Sequence, residues 1–172
     1  KIVEQILDFA RTSDPVMAPV DVNKLLDDLM LLTRHKMNLL RIQLVRKFDS
    51  SLPNAMGDAI QMGQAFLNLA LNAMEAMPQG GTLTLATRLV TLSRGGEPWR
   101  AVVIEIGDTG AGMAEEQRRA AFTSFLNTTK ARGTGLGLAI VGKIMEAHGA
   151  KVKILSKSGG GTRFRLFFRA EG

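Results

Sequence analysis

Two asparagines and a glutamate recur along one predicted helix in the middle of the chain. Asn68, Asn72 and Glu75 are spaced i, i+4, i+7, so they share a helical face. Asparagine is a poor helix former because its side chain competes for backbone hydrogen bonds, so two of them one turn apart need a reason. Amide oxygens can ligate a hard cation such as Mg²⁺ together with phosphate oxygens and water. The spacing alone allows either a magnesium–phosphate site or an ordinary solvated face.

An aspartate ends an apolar row on one face of a predicted strand. The row consists of Val102, Ile104, Ile106 and Asp108. An unpaired buried charge is costly, so the Asp108 carboxylate must meet hydrogen-bond donors. It either caps the loop that follows through backbone N–H groups, or it recognises an amino group on a ligand. Gly110 and Gly112 would let the backbone approach such a ligand closely.

A glycine-rich segment, Gly133-Thr-Gly-Leu-Gly-Leu138, precedes another predicted helix. Its G-x-G-x-G spacing follows a polar loop, whereas a dinucleotide fingerprint needs G-x-G-x-x-G directly after a strand. The dinucleotide interpretation therefore fails. A helix that starts near Leu136 would offer free N–H groups and a positive dipole to phosphate, and Lys130, Arg132 and Thr134 would add donors.

The elements that must position these residues follow from periodicity and turn signals. The predicted order is a helix from Asp21 to about Leu40, a strand at 41–48, a helix at 59–77 capped by Asp58, strands at 82–92 and 99–108, a short helix at 114–121, a loop at 123–134, a helix at 136–148, and strands at 151–156 and 162–168. The side chains of the 59–77 helix that are predicted to pack in the core are Ile60, Leu67, Leu71 and Met74. Strands joined by hairpins are antiparallel. We therefore predict a two-layer α/β sandwich with a mixed, mainly antiparallel sheet and about three helices on one face.

Two domains are predicted along the chain. Residues 1–12 have the apolar spacing of a helix end, and Pro15 and Pro19 indicate a linker, with a loop near Pro53 and Gly57. We assign 1–14 to the helix end and linker, and 15–172 to one globular domain.

Composition excludes several function classes. The 172 residues contain no Cys and two His, which rules out a disulfide framework, a thiolate zinc site and a cysteine nucleophile. No apolar run is long enough to span a membrane, so we expect a cytoplasmic location, with an anchor elsewhere in a longer parent still compatible. The net charge is +6. The basic residues are scattered along the chain, and the densest segments, Arg41–Lys47 and Arg163–Arg169, are predicted to lie on a solvated strand face, so no nucleic-acid partner is expected.

Taken together, the motifs occur in a specific order. They are Asn68-x-x-x-Asn72, Asp108-x-Gly110-x-Gly112, Phe122-x-x-Phe125, Gly133–Leu138 and Gly161-Thr162. This set resembles the catalytic ATP-binding domain of bacterial sensor histidine kinases over roughly residues 20–170, and its local sequence is most similar to the nitrogen-regulation type. The resemblance implies the Bergerat ATP-binding fold, with ATP and Mg²⁺ as ligands.

The resemblance also implies roles for individual residues. Asn72 would ligate Mg²⁺ with support from Asn68, Asp108 would take the adenine amino group, Thr162 would lie near adenine, and Lys130 would meet the phosphates. Asn68, Asn72 and Lys130 are the implied catalytic residues. The full set implied for ATP binding is Asn68, Asn72, Glu75, Ala76, Asp108, Gly110, Gly112, Met113, Thr128, Thr129, Lys130, Gly133, Thr134, Gly135, Leu136, Gly137, Leu138 and Thr162.

Two departures from the family pattern bear on these expectations. The usual Phe-Glu-Pro-Phe is Phe122-Thr-Ser-Phe125, and neither His35 nor His148 has the sequence context of the family's phosphate-accepting histidine. The resemblance therefore implies an acceptor on a dimerisation and histidine-phosphotransfer domain outside this chain, with residues 1–12 at the end of its second helix. It implies a receiver domain of a response regulator as a further partner, a mainly monomeric fragment and a homodimeric parent.

Related functions remain as alternatives. Hydrolysing ATPases of the same fold, such as DNA gyrase B and the MutL repair proteins, place a glutamate where this chain has Asn68. An amide cannot act as a general base near neutral pH, so phosphoryl transfer to a protein is favoured over hydrolysis. A GHKL-type ATPase or an anti-sigma-type serine kinase is the first alternative, and a nucleotide-sensing module without catalysis is the second.

Overall fold

The computed structural model describes residues 14–126 and 134–172. The elements in these ranges are β1 (Ala18–Val20), α1 (Val22–Leu40), β2 (Ile42–Lys47), β3 (Ala55–Gly57), α2 (Ala59–Glu75), β4 (Gly81–Arg94), β5 (Glu97–Asp108), α3 (Glu115–Leu126), α4 (Thr134–Ala147), β6 (Lys151–Ser156) and β7 (Thr162–Arg169).

Five of the strands form one sheet in the order β2-β4-β5-β7-β6. β2 runs parallel to β4, and the other three pairs are antiparallel. The β4–β5 hairpin turns at Gly95 and Gly96, whose φ angles of 59° and 84° are the left-handed values that a tight two-residue hairpin turn requires. The predicted mixed, mainly antiparallel sheet is confirmed.

The first two helices begin at the aspartates that the sequence nominates. The Asp21 side chain accepts from the Lys24 N–H at 3.1 Å. Asp58 Oδ1 accepts from the N–H groups of Ile60 at 3.0 Å and Gln61 at 3.2 Å. Each carboxylate thus satisfies donors that have no partner inside the helix, and its charge complements the helix dipole.

Helices pack on one face of the sheet, and the core lies between the two layers. Its largest buried side chains include Leu26, Phe66, Leu69 and Ile144 from the helices and Leu83, Leu85, Ile104 and Phe168 from the sheet. Phe66 meets Phe168 edge-on, with ring centroids 6.1 Å apart. This arrangement is the two-layer α/β sandwich that the sequence predicted.

The core-facing side of α2 differs from the prediction. Ile60 is 86% exposed and Leu67 and Leu71 are only half-buried, whereas Met74 is buried as expected. The other buried residues of the helix are Met62, Gly63, Ala65, Phe66, Leu69, Ala70 and Ala73. Because α2 packs against α1, α4 and β5 together, more than one of its sides is covered, and a single apolar stripe does not describe it.

Three predicted boundaries also change. The segments predicted as a linker and a loop contain β1 and β3, which pair antiparallel with Ala18 opposite Gly57. The short helix continues to Leu126, and α4 begins at Thr134 rather than Leu136. Three-residue strands beside prolines carry too little periodicity to be recognised in a sequence. Among the helices that the structure describes, none has the length and hydrophobicity needed to cross a bilayer.

Candidate functional site

A cleft of about 420 Å³ opens between the end of α2, the end of β5 and α3. Its size falls in the usual range for small-molecule sites. The residues that line it are Asn72, Glu75, Ala76, Asp108, Ala111, Gly112, Met113, Ala120, Ala121, Leu138, Thr162 and Phe164. Eight of these residues belong to the set nominated from the sequence, although they come from four separate elements and one loop.

The last two turns of α2 bring amide groups to the cleft. Asn72 lines it, with Glu75 and Ala76 following on the same helix end. Asn68 lies one turn earlier, outside the set of lining residues, where its Oδ1 accepts from Gln64 Nε2 at 3.2 Å. The Asn68 Nδ2 is buried and has no hydrogen-bond partner among the described residues. A buried donor without an acceptor is unfavourable, so this amide would gain from an acceptor supplied by a ligand.

Asp108 lies at the end of β5, directly opposite Thr162 of β7. Burial raises the pKa of its carboxyl, while the backbone N–H groups of Gly110 and Thr162 act in the opposite direction. The Gly110 N–H donates to Asp108 Oδ1 at 2.8 Å. The carboxylate therefore anchors its own loop, as the first interpretation predicted, and it also lines the cleft, where the second interpretation requires it.

The loop after Asp108 passes through spaces that only glycine fits. A Cβ on Gly110 would overlap the carbonyl oxygen of Ala76, and one on Gly112, whose φ is 70°, would overlap the carbonyl oxygen of Lys157. The loop is thus wedged between the end of α2 and the β6–β7 connection. This wedging fixes Met113 at the wall of the cleft.

Ser156 is a site residue that sequence reasoning missed. Its Oγ accepts from the Met113 N–H at 2.8 Å, donates to the Gly161 carbonyl at 3.1 Å and lies 2.8 Å from Thr162 Oγ1. One hydroxyl therefore ties the loop to β7. Its strand position on the same face as Ile154 was visible in the sequence, but the Met113 contact spans 43 residues and leaves no local signal.

The glycine-rich segment contributes the beginning of α4. The backbone from Thr134 through Gly137 forms the first turn, and Leu138 is buried at the cleft. A helix start provides N–H groups without intrahelical partners. The other predicted residues of this region, namely Thr128, Thr129, Lys130 and Gly133, lie outside the described residues.

Four further lining residues were not nominated from the sequence. They are Ala111, Ala120, Ala121 and Phe164. Phe164 is opposite Ile106 in the register of β5 and β7. It lies two residues after Thr162 on the same face of β7, so strand alternation starting from Thr162 could have found it. The alanines have no distinctive side chain, and their place at the cleft depends on how α3 packs.

The two histidines do not contribute to the cleft lining. His35 is exposed on α1. His148 accepts from the Asp58 N–H through Nε2 at 3.0 Å, and its Nδ1 lies 2.8 Å from the Ile144 carbonyl oxygen. The ring therefore carries its proton on Nδ1 and links the end of α4 to the start of α2.

Known proteins match both the sequence and the fold. Residues 57–172 match the family described as histidine kinase-, DNA gyrase B-, and HSP90-like ATPase. The sensor histidine kinase ZraS of Escherichia coli O157:H7 is 36% identical over 97% of this chain and 34% of its own length. The sensory histidine kinase/phosphatase NtrB of Rhodobacter capsulatus is 34% identical over 96% of this chain and 47% of its own length.

Solved structures of histidine kinases superpose on this chain as well. Full-length ShkA in complex with AMPPNP superposes with a TM-score of 0.79 at 29% identity, covering 99% of this chain and 36% of that one. The histidine kinase ThkA in complex with the response regulator TrrA has a TM-score of 0.76 at 22% identity, covering 99% of this chain and 46% of that one, which shows the shared fold.

The matches also show how much of each relative this chain corresponds to. It spans about a third to a half of the length of the two curated relatives. The match to the family covers the elements from α2 to the end of β7, including every residue that lines the cleft. This chain belongs to the histidine kinase-, DNA gyrase B- and HSP90-like ATPase family.

Proposed function

We propose that this chain is the catalytic part of a sensor histidine kinase, and that it transfers the γ-phosphate of Mg²⁺-ATP to a histidine on a dimerisation domain. The observation that carries this proposal is the cleft itself. It joins Asp108, an acceptor for a base, to Asn72, a neutral oxygen ligand, while an amide occupies position 68. The similarity to sensor kinases supports the same reaction.

The donor set of the cleft fits Mg²⁺ when ATP supplies the remaining oxygens. Asn72 offers an amide oxygen, and Glu75 lines the same cleft. A carboxylate beside phosphate oxygens is unfavourable unless a cation lies between them. The described residues contain no cluster of three His, Asp or Glu able to hold a metal alone. Mg²⁺ commonly binds through one or two protein ligands plus substrate phosphates and water, which is the arrangement that these residues permit.

In this mechanism the chain mainly positions ATP and neutralises the charge of its phosphates. Asp108 would accept from the adenine amino group, and Thr162 and Met113 would flank the base. The first turn of α4 would donate N–H groups to the phosphates, and Lys130 is expected to do the same. Mg²⁺, when bound, would neutralise the charge that develops during phosphoryl transfer.

The histidine acceptor has to come from outside the described cleft. Both ring nitrogens of His148 are engaged in holding two helices, and His35 is on the exposed side of α1. The proposed partners are therefore a dimerisation domain of the same protein and then a response regulator. The structure of ThkA with its response regulator supports the second partner by analogy.

Transfer to a separate acceptor tests this function. The chain, Mg²⁺ and γ-labelled ATP would be incubated with the isolated dimerisation domain of ZraS, and acid-labile, base-stable label on that domain would be measured. Asn72→Asp adds charge beside phosphate oxygens and should reduce transfer at least tenfold, about 1.4 kcal/mol, with little change in thermal stability. Asn38→Asp, an identical change on the exposed side of α1, is the control.

Three results would contradict the proposal. Parental transfer by Asn72→Asp would remove the Mg²⁺ assignment. Rapid release of phosphate into water without any transfer would favour the GHKL-type ATPase, and transfer to serine would favour the anti-sigma-type kinase.

A further inference from the structure

Most of the charged side chains on the face of the five-stranded sheet that points away from the helices are cations. Strand alternation and register place the odd-numbered residues of β2, β5, β6 and β7 there, together with the even-numbered residues of β4. We call the following set the basic face: Lys47, Arg88, Lys151, Lys153, Arg163, Arg165 and Arg169.

The basic face accounts for the net charge of the chain. Glu105 lies among its seven cations, which leaves a surplus of six, and the whole chain carries +6. Arg94 and Glu97, farther out on the β4–β5 hairpin, are opposite each other in register and leave this surplus unchanged. The basic residues are scattered along the sequence, as stated above, but strands remote in sequence bring several of them together on this one face.

This concentration of charge is unfavourable for the isolated sheet. Lys153 is directly opposite Arg165, and like charges in that position are destabilising. The Arg165 Nε donates to Glu105 at 2.7 Å, which neutralises one cation of the seven. Lysines on β6 are explained as protection of an edge strand against pairing with other chains. That explanation does not apply to Arg163, Arg165 and Arg169, because β7 lies between β5 and β6 and is not an edge strand.

The dense part of the basic face is a strip along β6 and β7. Arg163 and Arg169 are six residues apart on β7, which corresponds to about 20 Å of extended strand. At Arg163 the strip borders a cavity of about 380 Å³ whose walls include Lys157 and the backbone of Gly160 and Gly161. Arg118 also lines this cavity, but it is paired with Glu115 at 2.6 Å. An elongated anionic partner would match this shape.

Aromatic side chains within the strip indicate which anion it suits. Phe167 is half-buried between Arg165 and Arg169. Trp99 is half-buried beneath Arg169, whose guanidinium carbon lies 5.5 Å from the ring centroid, and its indole N–H has no acceptor among the described residues. Arginine, tryptophan and phenylalanine are enriched in contacts between proteins. Duplex phosphate backbones and lipid headgroups are held mainly by positive charge, and single-stranded nucleic acid needs accessible rings on which bases stack, whereas both rings here are half-buried.

We propose that the basic face docks an acidic protein segment in which carboxylates alternate with apolar side chains. Carboxylates would pair with the arginines and lysines of β6 and β7, and apolar side chains would cover Phe167. The surface is on the side of the sheet opposite the core, so it does not depend on the nucleotide proposal. Its function would be to hold a partner chain while the cleft remains open.

A charge reversal separates binding from folding. Lys153→Glu would place a carboxylate opposite Arg165, so it should raise the melting temperature while it removes charge needed for the partner. Lys36→Glu, on the exposed side of α1, makes the same change in net charge elsewhere. The probe is a fluorescein-labelled peptide of three Glu-Phe-Glu-Gly repeats, measured by anisotropy with the 172-residue chain at 50 mM NaCl. A second peptide with Gln for each Glu, a twelve-nucleotide single-stranded DNA and vesicles containing phosphatidylserine are compared.

We expect the acidic peptide to bind and Lys153→Glu to weaken its binding about tenfold. Lys36→Glu should bind the peptide as the parent does, which would show that the position of the charge matters. The Gln peptide should bind much more weakly, which would show that the carboxylates are required. Affinity for ATP should stay unchanged in both variants. Absence of peptide binding at millimolar concentration, or equal losses in the two variants, would overturn the proposal. Tighter binding of DNA or vesicles than of the peptide would assign the face to that class of partner instead and would also overturn it.

Discussion

Asp108 is a residue whose proposed role in binding the base comes at some cost to the stability of the fold. Its carboxylate follows three apolar side chains along β5, and burial raises its pKa. Two backbone N–H groups offset part of that cost. An ionised carboxylate can only accept hydrogen bonds, so the group suits the amino group of adenine and opposes the carbonyl that guanine has at the equivalent position.

The first prediction concerns base selectivity. A hydrogen bond to a charged group contributes roughly 1.5–3 kcal/mol, and an unpaired buried charge costs at least as much. We therefore expect ATP to bind between about tenfold and a few hundredfold more tightly than GTP. Asp108→Asn should weaken ATP and reduce this preference, because an amide can offer a donor to guanine. Calorimetry with both nucleotides on both proteins measures it. Equal affinities in the parent would remove Asp108 from the base site.

The second prediction concerns stability without nucleotide. Because its pKa is raised on folding, Asp108 binds more protons in the folded state than in the unfolded state as pH rises from about 3.8 towards the folded value. Stability from this residue is therefore lost with rising pH across that window and does not return at neutral pH. Asp108→Asn lacks the charge and can still accept from the Gly110 N–H, so it should melt at a higher temperature at pH 7.

Thermal unfolding between pH 3 and pH 7 tests this sign. The difference in melting temperature between Asp108→Asn and the parent should widen as pH rises. Glu116→Gln, an exposed carboxylate on α3, is a control that should show little change. A variant that is less stable than the parent at neutral pH would show that the ionised carboxylate stabilises the empty cleft.

At the scale of elements, periodicity predicted most helices and strands, and their motifs indicated the cleft. The aspartate caps of α1 and α2 and the alternation of β5 and β7 have local causes, so they were visible in the sequence. Ile60 was assigned to the wrong side because α2 is covered by several neighbours. β1 and β3 were missed because their pairing joins short segments that are far apart in sequence, as in Pro19 and Met56, which are 37 residues apart. The Ser156 contacts likewise depend on the assembled sheet.

The third prediction concerns Ser156 as the anchor of the loop after β5. Ser156→Ala would leave the Met113 N–H without its acceptor, which costs roughly 1–3 kcal/mol for a buried group. We expect lower protection of the Met113 amide against hydrogen exchange and several-fold weaker ATP binding. Ser156→Thr keeps the hydroxyl and should restore much of both.

Ser158→Ala, in the exposed connection between β6 and β7, serves as the matched control for this change. Unaltered exchange at Met113 in Ser156→Ala would mean that the loop is held by the glycine contacts alone. The hydroxyl would then have no role in shaping the cleft.

At the scale of the whole molecule, the two faces of the sheet have different chemistry. The helix-covered face leads to a cleft with amide and carboxylate groups, and the opposite face carries the surplus of positive charge. The cleft can hold a nucleotide, but the described part of α2 places an amide where a base for water would be needed. A reaction that starts in this molecule should therefore finish on another polypeptide.

The fourth prediction follows from that division. The chain should bind Mg²⁺-ATP yet release phosphate slowly, below about 1 s⁻¹, which is the low end of typical enzyme turnover. Asn68→Glu would supply a carboxylate that Gln64 can orient, since Gln64 Nε2 already donates to position 68 at 3.2 Å. A positioned general base contributes about 10²–10⁴-fold, so this variant should hydrolyse ATP up to about a hundredfold faster. Gln64→Glu, one turn earlier on α2, controls for an added charge. Steady-state phosphate release is measured for all three proteins. If the parent released several phosphates per second, another group would already activate water, and the amide at position 68 would not be what favours transfer over hydrolysis.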